Sequence, residues 1–174
     1  RLVNRRVGLP VGAHLLGRVI DPLGNPLDDK PLIHPRFVSN FYGRSIPALH
    51  RQPVSTPMDV GVRAVNGVLT LAKGQRIGLI AGSGVGKSTL LGMIARHSEA
   101  DVNVIALVGE RGKEVLDFIE ENLGQDGLAR SVVVVATSDQ PALIRLKAAF
   151  VATTIAEYFR DQGKDVVLMM DSLT

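Results

Sequence analysis

The residues Ala81-Gly82-Ser83-Gly84-Val85-Gly86-Lys87-Ser88-Thr89 have the composition and spacing of a phosphate-binding loop, the Walker A pattern. Closely spaced glycines let consecutive backbone N–H groups turn toward one anion. A helix opening at Lys87 adds the positive end of its dipole. In that arrangement the backbone of Gly82, Ser83, Gly84, Val85 and Gly86 cradles phosphate, and Lys87 reaches the outer phosphates of a nucleotide. Ser88 offers a hydroxyl to magnesium, and Thr89 completes the loop. The usual first glycine is Ala81 here, whose methyl is small enough to leave the loop intact. A glycine-rich turn that binds nothing is the alternative reading, and a strand before the loop with a helix after it weighs against that.

Three further residues could share this chemistry. Asp171 ends the apolar run Val166-Val167-Leu168-Met169-Met170, the Walker B arrangement in which an aspartate at a strand tip holds magnesium, directly or through water. The plainer reading is an aspartate capping the next turn. Glu110 and Arg111 follow the apolar run that ends at Val108 and Gly109. Glu110 could take a proton from an attacking water, and Arg111 could neutralise phosphate charge. Pattern alone leaves a surface turn equally open at these two positions.

Elements that would position these groups can be read from periodicity. Gln75–Ile80, 102–108, 132–136 and 166–170 read as apolar strands, the run 102–108 as one buried on both faces. Helices are expected from about Lys87 to His97 and from Lys113 to Leu123, the latter with Val115, Leu116, Ile119 and Leu123 on one side. A third helix runs to about Arg160, with Ser138 or Asp139 as its cap, Pro141 in its first turn, a stripe of Ile144, Ala148, Val151 and Ile155, and Gly163 at its end. Alternating strands and helices predict an α/β fold with a mainly parallel sheet flanked by helices. Ligands bind such sheets beyond the carboxyl ends of the strands, where these motifs fall. The first 58 residues read differently. Leu15–Ile20 is a short strand, Asp21–Pro26 a turn, Asp28-Asp29-Lys30 a solvated turn, and prolines at 31, 35, 47, 53 and 57 forbid long helices. Residues 1–58 are therefore expected to be the remnant of an N-terminal region and a connector, and 59–174 an ATP-binding core truncated at its C-terminal end.

Composition excludes several classes. The 174 residues contain no cysteine, so disulfides and thiolate chemistry are out. No apolar run approaches the ~20 residues of a membrane span. The net charge of +3 is weak and unclustered, which reads as a solvated surface rather than a nucleic-acid site. The four histidines show no metal-ligand spacing. Phe41, Tyr42 and Arg44 read as loop packing.

The stretches LLGRVIDPLGNPLD (15–28), GQRIGLIAGSGVGKSTLLGMIAR (74–96), VGERGKEVLDFIEENLG (108–124) and the run from Thr137 to Thr174 together resemble the rotary-type ATPases with RecA-like cores. Within that family the chain is most similar to flagellar and type III secretion export ATPases, the 109–114 and 137–141 runs carrying the preference. The resemblance implies ATP and Mg2+ as ligands, Glu110 as the catalytic glutamate and Arg111 as a phosphate-contacting arginine. It implies a homo-hexameric ring working with an export apparatus, secretion substrates and chaperones. That ring would lie at the cytoplasmic face of the inner membrane, associated with it through partners, with no nucleic acid. The family's N-terminal barrel, arginine finger, adenine-contacting aromatic and C-terminal helical domain fall outside these residues, so the piece alone is expected to hydrolyse ATP poorly. Readings left open are a catalytic subunit of an F- or V-type synthase and a Rho-like nucleic-acid translocase. A non-catalytic subunit is disfavoured by Glu110, which such subunits lack.

Overall fold

The computed structural model describes residues 8–31, 37–40, 46–82 and 84–172. Its centre is a four-stranded parallel sheet in the order β2-β5-β4-β6, formed by β2 (Arg18–Ile20), β4 (Val102–Val108), β5 (Ser131–Ala136) and β6 (Val166–Asp171). All three ladders are parallel, with Val104 opposite both Val132 and Leu168. Apart from the buried Asn103 and Ser131, β4 and β5 are runs of valine, isoleucine, leucine and alanine because both their faces are covered, so no polar alternation is needed.

On one face lies α5 (Ala142–Asp161), which presents Ala148, Val151, Ala152, Ile155 and Phe159 to Val104, Ala106, Val132 and Val134. A two-stranded antiparallel ribbon of β1 (Gly8–Val11) and β3 (Phe37–Asn40) adds Leu9 and Val11 to that core. On the other face α2 (Lys87–His97) packs with a helical arm made of α3 (Gly112–Asp117), a wider π turn (Phe118–Leu123) and α4 (Gly124–Ala129). Leu91, Ile94, Val115, Phe118 and Leu123 close over Ile105, Val133 and Met169 there. A short α1 (Arg63–Val68) precedes the phosphate-loop segment.

Several expectations are corrected. Gln75–Ile80 is not a strand: it belongs to neither sheet, and it is exposed throughout, Ile80 completely so. A strand needs a ladder partner for its N–H and C=O groups, and among the described residues none lies beside this segment. The fourth place in the sheet goes instead to β2, from the stretch read as connector. There the strand is only Arg18–Ile20, because Ala13–Leu15 winds into a 3-10 turn that buries Leu15. The helix expected over 113–123 starts at Gly112, and its second half is the π turn. Leu116, in α3 before that turn, lies off the apolar side and is 52% exposed. Neither Ser138 nor Asp139 caps α5. Pro141 holds the cap position with ψ 145°, so the helix proper begins at Ala142. Gly163, at φ 77°, ends it as expected, its N–H donating to Arg160 O at 2.8 Å.

Asp28 is not a solvated turn residue. Its carboxylate accepts from Arg18 Nε at 2.7 Å, Arg18 Nη2 at 3.0 Å and Val19 N at 3.1 Å. Burial alone would raise its pKa. The Arg18 bond, the backbone donors and the Arg18 charge outweigh that and hold it at about 2. The 41–45 aromatic-basic cluster lies outside the described residues.

Candidate functional site

The site is built at the carboxyl ends of β4 and β6 and the start of α2. β6 carries Asp171 at its last position, where the side chain is only 5% exposed. α2 begins at Lys87, directly after Gly84 and Gly86, whose φ values of 76° and 96° lie in the left-handed region that favours glycine. A Cβ added at Gly82, Gly84 or Gly86 would meet nothing within 4 Å, so the loop stands in open space with room for a ligand against its backbone. Ser83 lies outside the described residues. Lys87 Nζ reaches back across the gap to Asp171 Oδ1 at 2.5 Å. That bond raises the lysine pKa against an opposing burial effect. Ser88 follows on the first turn of α2, half-buried, and Thr89 beside it is exposed.

Glu110 is placed by the backbone on both sides of it. Gly109, at φ 81°, turns the chain out of β4, with its N–H donating to Ala136 O at 2.7 Å. Glu110 O accepts from Ser138 N at 3.0 Å, so the turn is fastened to the end of β5. The Glu110 carboxyl is pushed up to about 7. Burial is the main cause, followed by a hydrogen bond with Glu114 and the negative charges of Asp171 and Glu114, with Lys87 opposing. Lys87, Asp171 and Glu110 therefore share one electrostatic neighbourhood.

Arg111 is not drawn into that neighbourhood. Its side chain is 83% exposed, and its guanidinium lies 3.9 Å from Glu114. Glu114 is the residue that sequence reading did not single out. Its Oε2 accepts from Arg111 N at 3.3 Å, which satisfies a donor at the start of α3, while the same carboxylate bonds to Glu110. The signal was present in the spacing, since a glutamate three residues past a helix cap commonly folds back onto it.

A glycine-rich loop opening a helix, a lysine paired to a strand-end aspartate, and a half-buried glutamate in the turn just past the neighbouring strand define a P-loop nucleotide-binding core of the RecA-like kind. The nucleotide-binding domain profile of the ATP synthase alpha/beta family matches residues 61–174. The chain belongs to that family. Among its relatives, the flagellum-specific ATP synthase of Bacillus subtilis is 61% identical over 166 residues, covering 94% of this chain and 37% of the relative. The type 3 secretion system ATPase of Xanthomonas euvesicatoria is 54% identical over 172 residues, covering 99% and 39%. A solved structure of the assembled ATPase EscN with its central stalk EscO, from the enteropathogenic E. coli type III secretion system, superposes with a TM-score of 0.90 at 54% identity. It covers 96% of this chain and 41% of that one. The chain thus spans about two fifths of the length of these relatives. No helix among the described residues is long and apolar enough to cross a membrane.

Proposed function

We propose that this chain is the ATP-binding part of an ATPase that powers protein export by a flagellar-type or type III secretion apparatus. The observation that carries the catalytic reading is the convergence of Lys87 and Asp171 at 2.5 Å beside a glutamate whose carboxyl is held near neutrality. Residues 59–174 carry the site-bearing part of the nucleotide core, and residues 1–58 lead into it while lending the sheet its β2 strand.

Each group has a task. The backbone of Gly82, Ser83, Gly84, Val85 and Gly86 with Thr89 wraps the phosphates, and Lys87 turns from Asp171 to the β- and γ-oxygens. Magnesium fits the donor set: Asp171 supplies shielded carboxylate oxygens and Ser88 a hydroxyl, both hard ligands. The ion, when bound, neutralises charge on the β- and γ-oxygens. Glu110 accepts the proton of the attacking water as its oxygen bonds to the γ-phosphorus and the bond to the β-phosphate oxygen breaks, leaving ADP and phosphate. A carboxyl held at about 7 is matched to that transfer at cellular pH. Arg111, exposed at the surface, would neutralise the transferring group on turning toward it.

The relatives named for flagellar and type III export support the wider assignment. It comprises a homo-hexamer engaging export apparatus, substrates and chaperones at the cytoplasmic face of the inner membrane, with no nucleic acid. The test uses a protein of the relatives' length that carries this sequence. Glu110→Gln should keep Mg-ATP affinity and lose about 10²-fold or more of turnover, the scale of a positioned base. Lys87→Ala should lose the affinity itself. Turnover near wild type in Glu110→Gln would leave Glu110 a structural turn residue, and unchanged affinity in Lys87→Ala would end the phosphate-loop reading.

A further inference from the structure

α2 carries Lys87 and Ser88 at its start, and the α3–π–α4 arm carries Glu110 and Glu114 at its start. These two elements lie side by side on one face of the sheet. Where they approach most tightly there is no side chain on one partner. Gly92, about one and a half turns past Lys87, is buried against the π turn, and a Cβ there would sit 2.6 Å from Asn122 O, 2.7 Å from Asn122 Cβ and 2.9 Å from Asn122 C. Two of those three atoms are backbone, which cannot rotate away. One turn further on the roles reverse. A Cβ at Gly127 of α4 would sit 3.0 Å from Arg96 Cγ of α2 and 2.9 Å from Leu123 Cδ1, both side-chain atoms that can give. The π turn between these contacts is a local widening of the helix, a feature that often marks functional positions.

Neither glycine has the left-handed backbone that would otherwise explain it, and glycine weakens a helix relative to alanine. Close approach is what the missing Cβ provides. We propose that Gly92 and Gly127 are positioning residues that fix the separation of the phosphate-loop helix from the arm bearing Glu110, and so the distance between bound phosphate and base. The inference rests on the catalytic reading given above. On that reading Mg-ATP affinity draws on α2, its loop and Asp171 of β6, none of them on the arm, whereas turnover needs the arm in register with α2 as well. A displacement of ~1 Å is enough to cost on the order of 10² in rate.

The experiment measures kcat, KM, Mg-ATP affinity and melting midpoint for Gly92→Ala and Gly127→Ala in a protein of the relatives' length, with Gly67→Ala as control. Gly67 sits on exposed α1, with nothing within 4 Å of its would-be Cβ. Gly92→Ala should lower kcat about 10-fold or more with affinity held within about threefold, and Gly127→Ala should lower it by a smaller factor, because only side chains must move. Gly67→Ala should match wild type. If Gly92→Ala fails to fold, the Gly127→Ala split between kcat and affinity decides. Unchanged kcat in both folded variants overturns the inference, and so does a parallel fall of kcat, affinity and midpoint. Glu110→Gln run alongside separates the two levels. Retained turnover there condemns the catalytic reading, while lost turnover there with normal Gly92→Ala and Gly127→Ala condemns only the spacing role.

Discussion

Glu110 and Asp171 stand at the ends of β4 and β6, strands laddered together residue by residue from Val102 opposite Val166 to Leu107 opposite Asp171. Lys87 follows a run, 76–82, that makes no backbone hydrogen bond among the described residues and leaves Ile77, Leu79 and Ile80 in solvent. The carboxylates proposed for acid–base work and magnesium binding thus stand at the end of a laddered sheet, while the approach to the Lys87 loop has no such ladder. One ion pair, Lys87 with Asp171, ties the two together. On the proposed catalytic reading, the ladder falls where proton transfer would need fixed geometry, and the loop would be shaped by what it binds or pairs with.

Hydrogen exchange on residues 1–174 would break or sharpen this contrast most strongly. Amides of β4 and β5 should be protected by about 10³-fold or more, and those of 76–82 should exchange almost freely. Comparable protection in the two regions would mean that the loop approach is ordered after all. A stability measurement follows in size. Ile105 is fully buried at the middle of β4, and Ile80 is fully exposed. Ile105→Ala should cost about 2–5 kcal/mol in denaturant unfolding of the same residues, from lost burial plus the cavity left behind. Ile80→Ala should stay within about 0.5 kcal/mol. A large loss at Ile80 would show that its apolar side chain is packed in solution.

The same contrast explains what the amino-acid pattern could reveal. β4, β5 and β6 were legible as largely unbroken apolar runs and α5 by its helical apolar stripe, signals that each segment carries without naming its partner. Gln75–Ile80 has the apolar content of a strand, but being a strand depends on a partner, and the run itself does not name one. β2 was read as a short strand, but its place in the central sheet was missed for the converse reason, since three residues carry little pattern and its partner β5 lies far along the chain. At the site, Lys87, Ser88 and Asp171 followed from motif spacing. The pairing of Glu110 with Glu114 was hidden because it depends on how the chain turns at Gly109 and enters α3.

That carboxyl pair gives the smallest and most specific effect. Glu110 is held at about 7 by burial first, then by its bond to Glu114, then by the charges of Asp171 and Glu114, with Lys87 pulling the other way. A base must be deprotonated to act, so kcat/KM of a protein of the relatives' length should fall as pH drops through about 7. Glu114→Gln removes one negative charge and one acceptor that favours the protonated form, so Glu110 releases its proton more readily. The acidic limb should then move to lower pH, by less than about one unit. Stability runs in the opposite direction to activity here. The folded chain keeps a proton on Glu110 that the unfolded chain gives up, so this contribution is present below the ordinary carboxylate value and is lost as pH rises through about 7. Glu114→Gln should weaken that loss, flattening the fall of the melting midpoint between about pH 4.5 and 7. An acidic limb that stays in place, or moves to higher pH, would mean that Glu114 does not hold the proton of Glu110 and that the raised value comes from burial and the Asp171 charge.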